Sequence, residues 1–246
     1  MSDTTTATLT PRRIKEMSPA AITACLTSDP RLIVPAGTCE QHGPHLPLGA
    51  DTVIVEYLAD DLSAEFGILR APTIEYGVNA ATEHVAVGNA SLRRKTLLRM
   101  LNDLIDCWEV EGVREFVLLT AHGHQGHQEA LATVVTKRAR IRLVDILAVK
   151  MDDILETQAE ARHGDEADTS LLLFIAPHLV DMERAQDFSI APTAAHRYRR
   201  HTLRIPRTSA GSIGTPSFAN AEKGAALYRR IRERVCERIF VAPAQE

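Results

Sequence analysis

The chain lacks several features that would assign it quickly to a class of protein. None of its apolar runs reaches the roughly 18 residues that a membrane-spanning helix needs. Its first residues, MSDTTTATLTPRR, lack the apolar segment of a secretory signal peptide. A net charge of −4 leaves no basic excess to neutralise the phosphates of a nucleic acid. We therefore expect a cytoplasmic protein that binds neither a membrane nor a nucleic acid.

Cysteine and tryptophan are also scarce. Cys25, Cys39, Cys107 and Cys236 are widely scattered and lack the paired spacing of a zinc site, so we expect them to be reduced. The single tryptophan, Trp108, lies in a helical pattern, where a core position is expected. The 246 residues are 45% hydrophobic, which is enough for a substantial core in one large α/β domain.

Short apolar runs alternate with helical patterns along the chain. Strands are predicted at residues 32–36, 68–71, 116–119 and 143–149, and helices at 18–26, 51–66, 91–111, 126–138, 168–175 and 221–239. Alternation of this kind predicts an α/β fold with a mostly parallel sheet, right-handed crossovers and helices on both faces. Residues 1–12 are predicted to be a disordered tail, and residues 13–246 a single domain.

The segment from Pro35 to Asp51, PAGTCEQHGPHLPLGAD, is the most informative part of the sequence. It follows the first predicted strand, where open α/β sheets bind ligands beyond the carboxyl ends of their strands. Three prolines and three glycines make it too kinked for a helix. Within it lie Glu40, His42, His45 and Asp51. Carboxylates and imidazoles on a rigid loop are typical ligands of a divalent metal ion.

Two further polar clusters follow. AHGHQGHQ contains His122, His124 and His127, and RHGDEADTS contains His163, Asp165, Glu166 and Asp168. The first of these also follows a predicted strand, so it should reach the same sheet edge as the Pro35–Asp51 loop. The spacing of RHGDEADTS in the sequence does not show whether this cluster comes near the other two.

Each of these residues has an ordinary structural role to be weighed beside a functional one. A single loop histidine is more often solvated than metal-bound. Asp51 and Asp168 suit helix N-caps, and Asp165 and Glu166 suit the positive end of a helix. The second cluster places three of the ten histidines within nine residues at the end of a strand. No ordinary structural role explains this concentration. Taken together, the clusters favour a metal site.

Several motifs, in order, resemble those of one known family. The run GTCEQHGPHLPLGAD resembles the signature of the creatininase (creatinine amidohydrolase) family. The resemblance continues along nearly the whole chain and implies a creatininase-like three-layer sandwich that assembles as a homo-oligomer, often a hexamer. Its other matching segments are Tyr76–Gly77, His84 with Gly88, Ala121–Gly123, His163–Ser170, and Gly211, Gly214 and Pro216 with residues 219–224.

The resemblance implies two divalent metal ions per chain. By analogy the ligands would be Glu40, His42, Asp51 and His122, with Asp51 bridging the ions. Glu166 is expected to supply the remaining carboxylate, with His124 as the alternative because it stands where creatininase has a glutamate. Imidazole and carboxylate donors without thiolate suit zinc, manganese or iron.

Such a centre suits hydrolysis of an amide. Two ions can hold a hydroxide between them and stabilise the developing oxyanion. His163 is the candidate general acid for the amine leaving group, with helix capping or ligand orientation as its alternative role. The expected catalytic residues are therefore His163 and Glu166. Gln41, His45 and Asp168 are expected to orient the ligands.

The function expected from these observations is a metal-dependent amidohydrolase. Its substrate would be a small polar molecule, either a cyclic amide or a formamide, cleaved at a C–N bond. The family's tryptophans that close over creatinine have no counterpart here, and Ala121 and Gln125 replace its loop asparagines. Three other reactions therefore stay open: cyclic-ketone C–C hydrolysis, deformylation of a nucleotide precursor, and peptide trimming. An inactive metal-binding relative is the last alternative.

Overall fold

The computed structural model describes residues 10–80, 87–190 and 205–240. Within these ranges the chain forms five strands, all paired in parallel in the order β1-β3-β2-β4-β5. The parallel sheet and its six helices confirm the expected α/β class. The strands are β1 (Arg12–Arg13), β2 (Arg31–Ala36), β3 (Leu69–Arg70), β4 (Glu115–Thr120) and β5 (Arg140–Asp145). The α-helices are α1 (Pro19–Ser28), α2 (Ala50–Phe66), α3 (Arg94–Glu111), α4 (Gln125–Ala132), α5 (Glu166–Ile175) and α6 (Ala221–Phe240).

The sheet separates two hydrophobic cores. Side chains alternate between the two faces along β2, as they must in a strand. Ile33 packs on one face with buried residues of α2, α5 and α6. Leu32 and Val34 pack on the other face with residues of α1, α3 and α4. Helices therefore cover both faces, and the three-layer arrangement is confirmed.

Local chemistry sets the ends of several helices. The Ser18 hydroxyl accepts a hydrogen bond from the backbone N–H of Ala21, and Pro19 occupies the first turn of α1. Gly67 ends α2 with a φ of 65°, and Gly112 ends α3 with a φ of 117°. Only glycine adopts these left-handed conformations without cost, so both glycines stop their helices.

The connections place a crevice at the centre of the sheet. From β2 the chain passes through α2 to β3 on one side, and from β3 it passes through α3 to β4 on the other side of β2. β2 and β4 end level with each other, since Ala36 pairs with Thr120. The loops that follow β2 and β4 therefore begin side by side, at the point where such folds bind ligands.

Some predicted boundaries were wrong. Arg12 begins β1, so the disordered tail predicted for residues 1–12 does not extend to residue 12. Residues 1–9 lie outside the described part of the chain. The fourth helix ends at Ala132 rather than residue 138, because the β-branched run that follows (residues 133–136) disfavours helix. The last strand spans Arg140–Asp145 rather than 143–149 because, at the sheet edge, its polar residues face solvent.

That residues 13–246 form a single domain stays a prediction. No helix in the described ranges combines the length and the apolar character needed to cross a membrane.

Candidate metal centre

The loop that follows β2 carries Glu40 and His42 to the carboxyl edge of the sheet. It is closed on itself by a hydrogen bond from the Glu40 N–H to the Leu48 carbonyl, at 2.9 Å. A side chain at Gly37 would place its Cβ 2.3 Å from Thr52 Oγ1, so the start of the loop packs directly on α2. Glu40 is fully buried and His42 nearly so. The loop therefore holds two potential ligands in fixed positions, out of contact with bulk water.

His42 faces Asp51, which lies in the first turn of α2. The Nδ1–H of His42 donates to the Glu40 carbonyl at 2.9 Å. Because a carbonyl can only accept, the proton of a neutral ring must be on Nδ1, and Nε2 keeps its lone pair. Nε2 lies 3.5 Å from Oδ1 of Asp51. His42 is thus oriented as metal-binding histidines usually are, with one ring nitrogen fixed by the backbone.

His122 is oriented in the same way from the end of β4. Its Nε2–H donates to the Val78 carbonyl at 3.0 Å. Its Nδ1 lies 2.9 Å from Oδ2 of Asp51 and 3.5 Å from Oε2 of Glu40. The two oxygens of Asp51 therefore face two different histidines, the geometry that a carboxylate shared by two ions requires.

The donors form two overlapping groups. In the described residues, Glu40, Asp51 and His122 make one group and Glu40, His42 and His163 the other, with all donor atoms of a group within 4.8 Å of one another. In the described part of the chain, no residue donates a hydrogen bond to the buried Oε2 atom of Glu40. A buried carboxylate oxygen without a donor is costly, and a cation would satisfy it. The donor set fits divalent transition metals.

The pKa values of the cluster show how strongly its groups interact. Burial opposes the charge on His42, but the carboxylates of Asp51, Asp168 and Glu40 together outweigh it and raise the pKa of His42 to about 10. Burial likewise opposes the charge on Asp51, but His42 and His122 hold the pKa of Asp51 well below its usual range. Desolvation raises the pKa of Glu40. Without an ion, protons on the imidazoles supply the positive charge that these carboxylates need.

The third polar cluster reaches the same cleft. The Nε2–H of His163 donates to the Gln41 carbonyl at 2.7 Å, and its ring stacks on that of His42 with centroids 4.3 Å apart. Gly164 permits this approach: its φ is 57°, and an added Cβ would lie 2.3 Å from the His42 carbonyl oxygen. Burial and the nearby charge of His42 hold the pKa of His163 well below its usual range. His163 is therefore neutral at neutral pH.

Glu166 is not placed to bind a metal ion in this cleft, contrary to expectation. Its buried carboxylate accepts hydrogen bonds from the Glu156 N–H at 3.1 and 3.2 Å and from Nζ of Lys223 at 2.6 Å. Glu166 therefore joins α5 to the start of α6. His124, the alternative, lines the cleft but belongs to neither donor group.

Asp168 lies in the cleft instead. Its Oδ2 accepts a hydrogen bond from the Gly164 N–H at 2.8 Å, and its charge contributes to the raised pKa of His42. Asp165, by contrast, caps α5 by accepting from the N–H groups of Ala167 and Asp168, as an N-cap aspartate does.

The remaining residues expected to support the ligands join separate loops. The Gln41 side chain donates to the Gly211 carbonyl at 3.0 Å and accepts from the Gly43 N–H at 2.9 Å. Nε2 of His45 lies 2.9 Å from Oγ1 of Thr169 in α5. Both residues thus tie the Pro35–Asp51 loop to more distant parts of the chain.

Sequence reasoning missed three contributors. The Val78 carbonyl orients His122, and the Ala80 N–H donates to Oε1 of Glu40 at 2.9 Å. Backbone groups of this kind leave no signal in the sequence. Arg162 also lines the cleft. Its place directly before His163 was a signal, and the third cluster included it without a role.

Comparisons with known proteins identify relatives of this chain. A family model described as "Creatininase: Creatinine amidohydrolase" matches residues 15–239. A mycofactocin precursor peptide peptidase of Mycolicibacterium smegmatis is 29% identical over 222 residues, covering 85% of this chain and 84% of that protein. A 3-dehydro-scyllo-inosose hydrolase of Thermotoga maritima is 26% identical, covering 63% of this chain and 53% of that protein. The crystal structure of a creatinine amidohydrolase superimposes with a TM-score of 0.76 at 20% identity, covering 95% of this chain and 99% of the other.

Proposed function

Because the chain belongs to the creatininase family, we propose that it is a metal-dependent hydrolase that cleaves a C–N bond in a small polar cyclic amide or formamide. One observation carries the proposal. Glu40, His42, Asp51 and His122, from two strand-end loops and a helix start, converge in a single buried cleft beside His163. Buried carboxylates are costly unless they are paired or bind a cation, and a metal ion would meet that need for all of these donors at once.

The donors divide between two proposed ion positions. Glu40, Asp51 and His122 would hold one ion, since their donor atoms already lie within 4.8 Å of one another. His42 and Asp51 would hold the second. Asp168 is the carboxylate we assign to the second position in place of Glu166, because it lines the cleft and acts electrostatically on His42. The donor set suits zinc, manganese or iron.

The chain's own residues would manage the protons. Two divalent ions would lower the pKa of a bound water molecule and stabilise negative charge on a substrate oxygen. His163 is neutral, and its Nδ1 lacks the proton that Nε2 donates to Gln41. Nδ1 can therefore accept a proton from the attacking water and pass it to the departing nitrogen. The buried loop around His42 and Asp51 excludes bulk water from these steps.

Peptide trimming is the second candidate, favoured by the 29% identity to a peptide peptidase. A peptide bond is itself a C–N amide bond, so this reaction needs the same ions and the same proton transfer by His163. The hydrolase of a dehydro-inosose is less similar to this chain and matches a smaller share of it. Because of this relative, cyclic ketones are included among the substrates to be tested for the C–C alternative.

Removal and return of metal test the proposal. The purified protein, dialysed exhaustively against a chelator, should lose hydrolysis of a panel of cyclic amides, N-formyl compounds, short peptides and cyclic ketones. Adding back zinc, manganese or ferrous ions one at a time should restore it. Full activity after complete metal removal would refute the proposal, and activity restricted to ketones would select the C–C alternative.

The homo-oligomer, a hexamer by analogy, stays a prediction. Light scattering of the purified protein measures it directly against the 27.0 kDa mass of one chain.

A further inference from the structure

We propose that Arg162 selects substrates that carry a carboxylate beside the scissile amide, such as an N-acyl amino acid or the terminal residue of a peptide. The inference rests on the proposed function and narrows its substrate class. It concerns a residue for which the metal chemistry has no use.

The position of Arg162 is the first observation. It directly precedes His163 and lines the same cleft as Glu40, His42 and Asp51. Among the lining residues that the structure describes, it is the only lysine or arginine. It is half-buried, whereas the donor residues beneath it are buried. Arg162 therefore stands where a substrate would meet the protein before it reaches the donors.

The main chain of Arg162 is fixed. Its N–H donates to Oδ2 of Asp165 at 2.6 Å. The Asp165 carboxylate also accepts from the Ala167 and Asp168 N–H groups, at 2.8 and 3.1 Å, and from the side chain of Gln158. The same capping network that starts α5 thus positions Arg162. A change of its side chain leaves this backbone bond in place.

The guanidinium has no structural task in the described part of the chain. No described carboxylate forms an ion pair with it, whereas Arg13, Arg31 and Arg70 each pair with an acid. A half-buried arginine without an acidic partner keeps its five donors available for a ligand. Its flat, forked donors match the two oxygens of a carboxylate.

The charge of the loaded cleft points the same way. Glu40, Asp51 and Asp168 would bring three negative charges to the cleft. Two divalent ions bring four positive charges, so the loaded cleft does not repel an anion. Arg162 then adds positive charge at the rim, where it attracts an anionic group without competing for the metal positions.

Binding of a matched pair of probes tests the inference. The probes are N-acetyl-N-hydroxyglycine, a hydroxamate whose carboxylate is on the nitrogen side as in an N-acyl amino acid, and the same molecule with that carboxylate replaced by a carboxamide. The hydroxamate group binds the metal ions in both, so only the terminal group differs. Calorimetric titration of the metal-loaded protein gives both dissociation constants. The wild type should bind the carboxylate about 10- to 100-fold more tightly, as expected for a charge-assisted pair.

Variants assign the preference to Arg162. In Arg162→Gln the two dissociation constants should come within about threefold, while Arg162→Lys keeps part of the preference because it retains the charge. Arg184→Gln, an exposed arginine paired with Asp181, is the matched control and should keep the full preference. Equal binding of both probes by the wild type, or a preference unchanged in Arg162→Gln, would overturn the inference alone. If neither probe bound to the wild type, the proposed metal site would fall, and the inference with it.

Discussion

Nδ1 of His122 lies 2.9 Å from Oδ2 of Asp51, although one residue follows β4 and the other begins α2. Nε2 of His42 lies 3.5 Å from Oδ1, the other oxygen of the same carboxylate. Asp51 is therefore the point at which the two strand-end loops converge. In the proposed function it is the ligand shared by both ions.

Asp51→Asn should remove most of the bound metal. An amide cannot supply two anionic oxygens, so we expect the metal content to fall from about two ions per chain to below one. Affinity should decrease by at least about 100-fold, the upper end of what altered supporting residues cost. Elemental analysis of the purified variant measures this. Asp181→Asn, an exposed change on the same chain, should retain wild-type metal content.

His163→Gln should separate catalysis from metal binding. If the imidazole transfers a proton, its loss should lower kcat by about 10²- to 10⁴-fold. Metal content should stay near that of the wild type, because His163 is not one of the five proposed ligands. A variant with unchanged turnover and intact metal would remove the catalytic role from His163.

Glu166→Gln and Asp168→Asn should have opposite consequences. Glu166 bonds to Lys223 and to the Glu156 N–H, so neutralising it should cost about 1.5–3 kcal/mol of unfolding free energy and leave metal content unchanged. Asp168→Asn should lower metal content with a smaller change in stability. Denaturant unfolding and elemental analysis of both variants decide the matter. Metal loss in Glu166→Gln alone would restore the original ligand assignment.

His45 should make the metal-free protein sensitive to acid. Burial lowers the pKa of His45 to about 4 from the ordinary 6.5. Between these values the unfolded chain binds a proton at this residue and the folded chain does not, so stability falls as the pH decreases from 6.5 towards 4. The stability difference between wild type and His45→Gln, from urea unfolding, should shrink over this interval. A difference independent of pH would contradict the assignment.

The sequence was most informative where ligands are dense along the chain. The Pro35–Asp51 loop concentrates charge after an apolar strand, and His122 follows the neighbouring strand. The carboxyl ends of adjacent parallel strands meet, so this part of the site could be predicted from position alone. The approach of His163 could not, because it depends on the left-handed Gly164 lying against the His42 carbonyl.

The choice between Glu166 and Asp168 depended on helix phase. Successive helical residues are about 100° apart, so residues two positions apart point to nearly opposite sides. The N-cap at Asp165 sets that phase, turning Asp168 towards the cleft and Glu166 towards Lys223. The sequence offers both acids and leaves the phase undetermined until the cap is known.

Anomalous diffraction from crystals loaded with zinc tests the central claim most directly. We predict two peaks in the cleft, each about 2.0–2.2 Å from a different oxygen of Asp51. One peak should lie beside Glu40 and His122, and the other beside His42. An empty cleft in crystals with zinc bound elsewhere, or peaks that do not contact Asp51, would contradict the account.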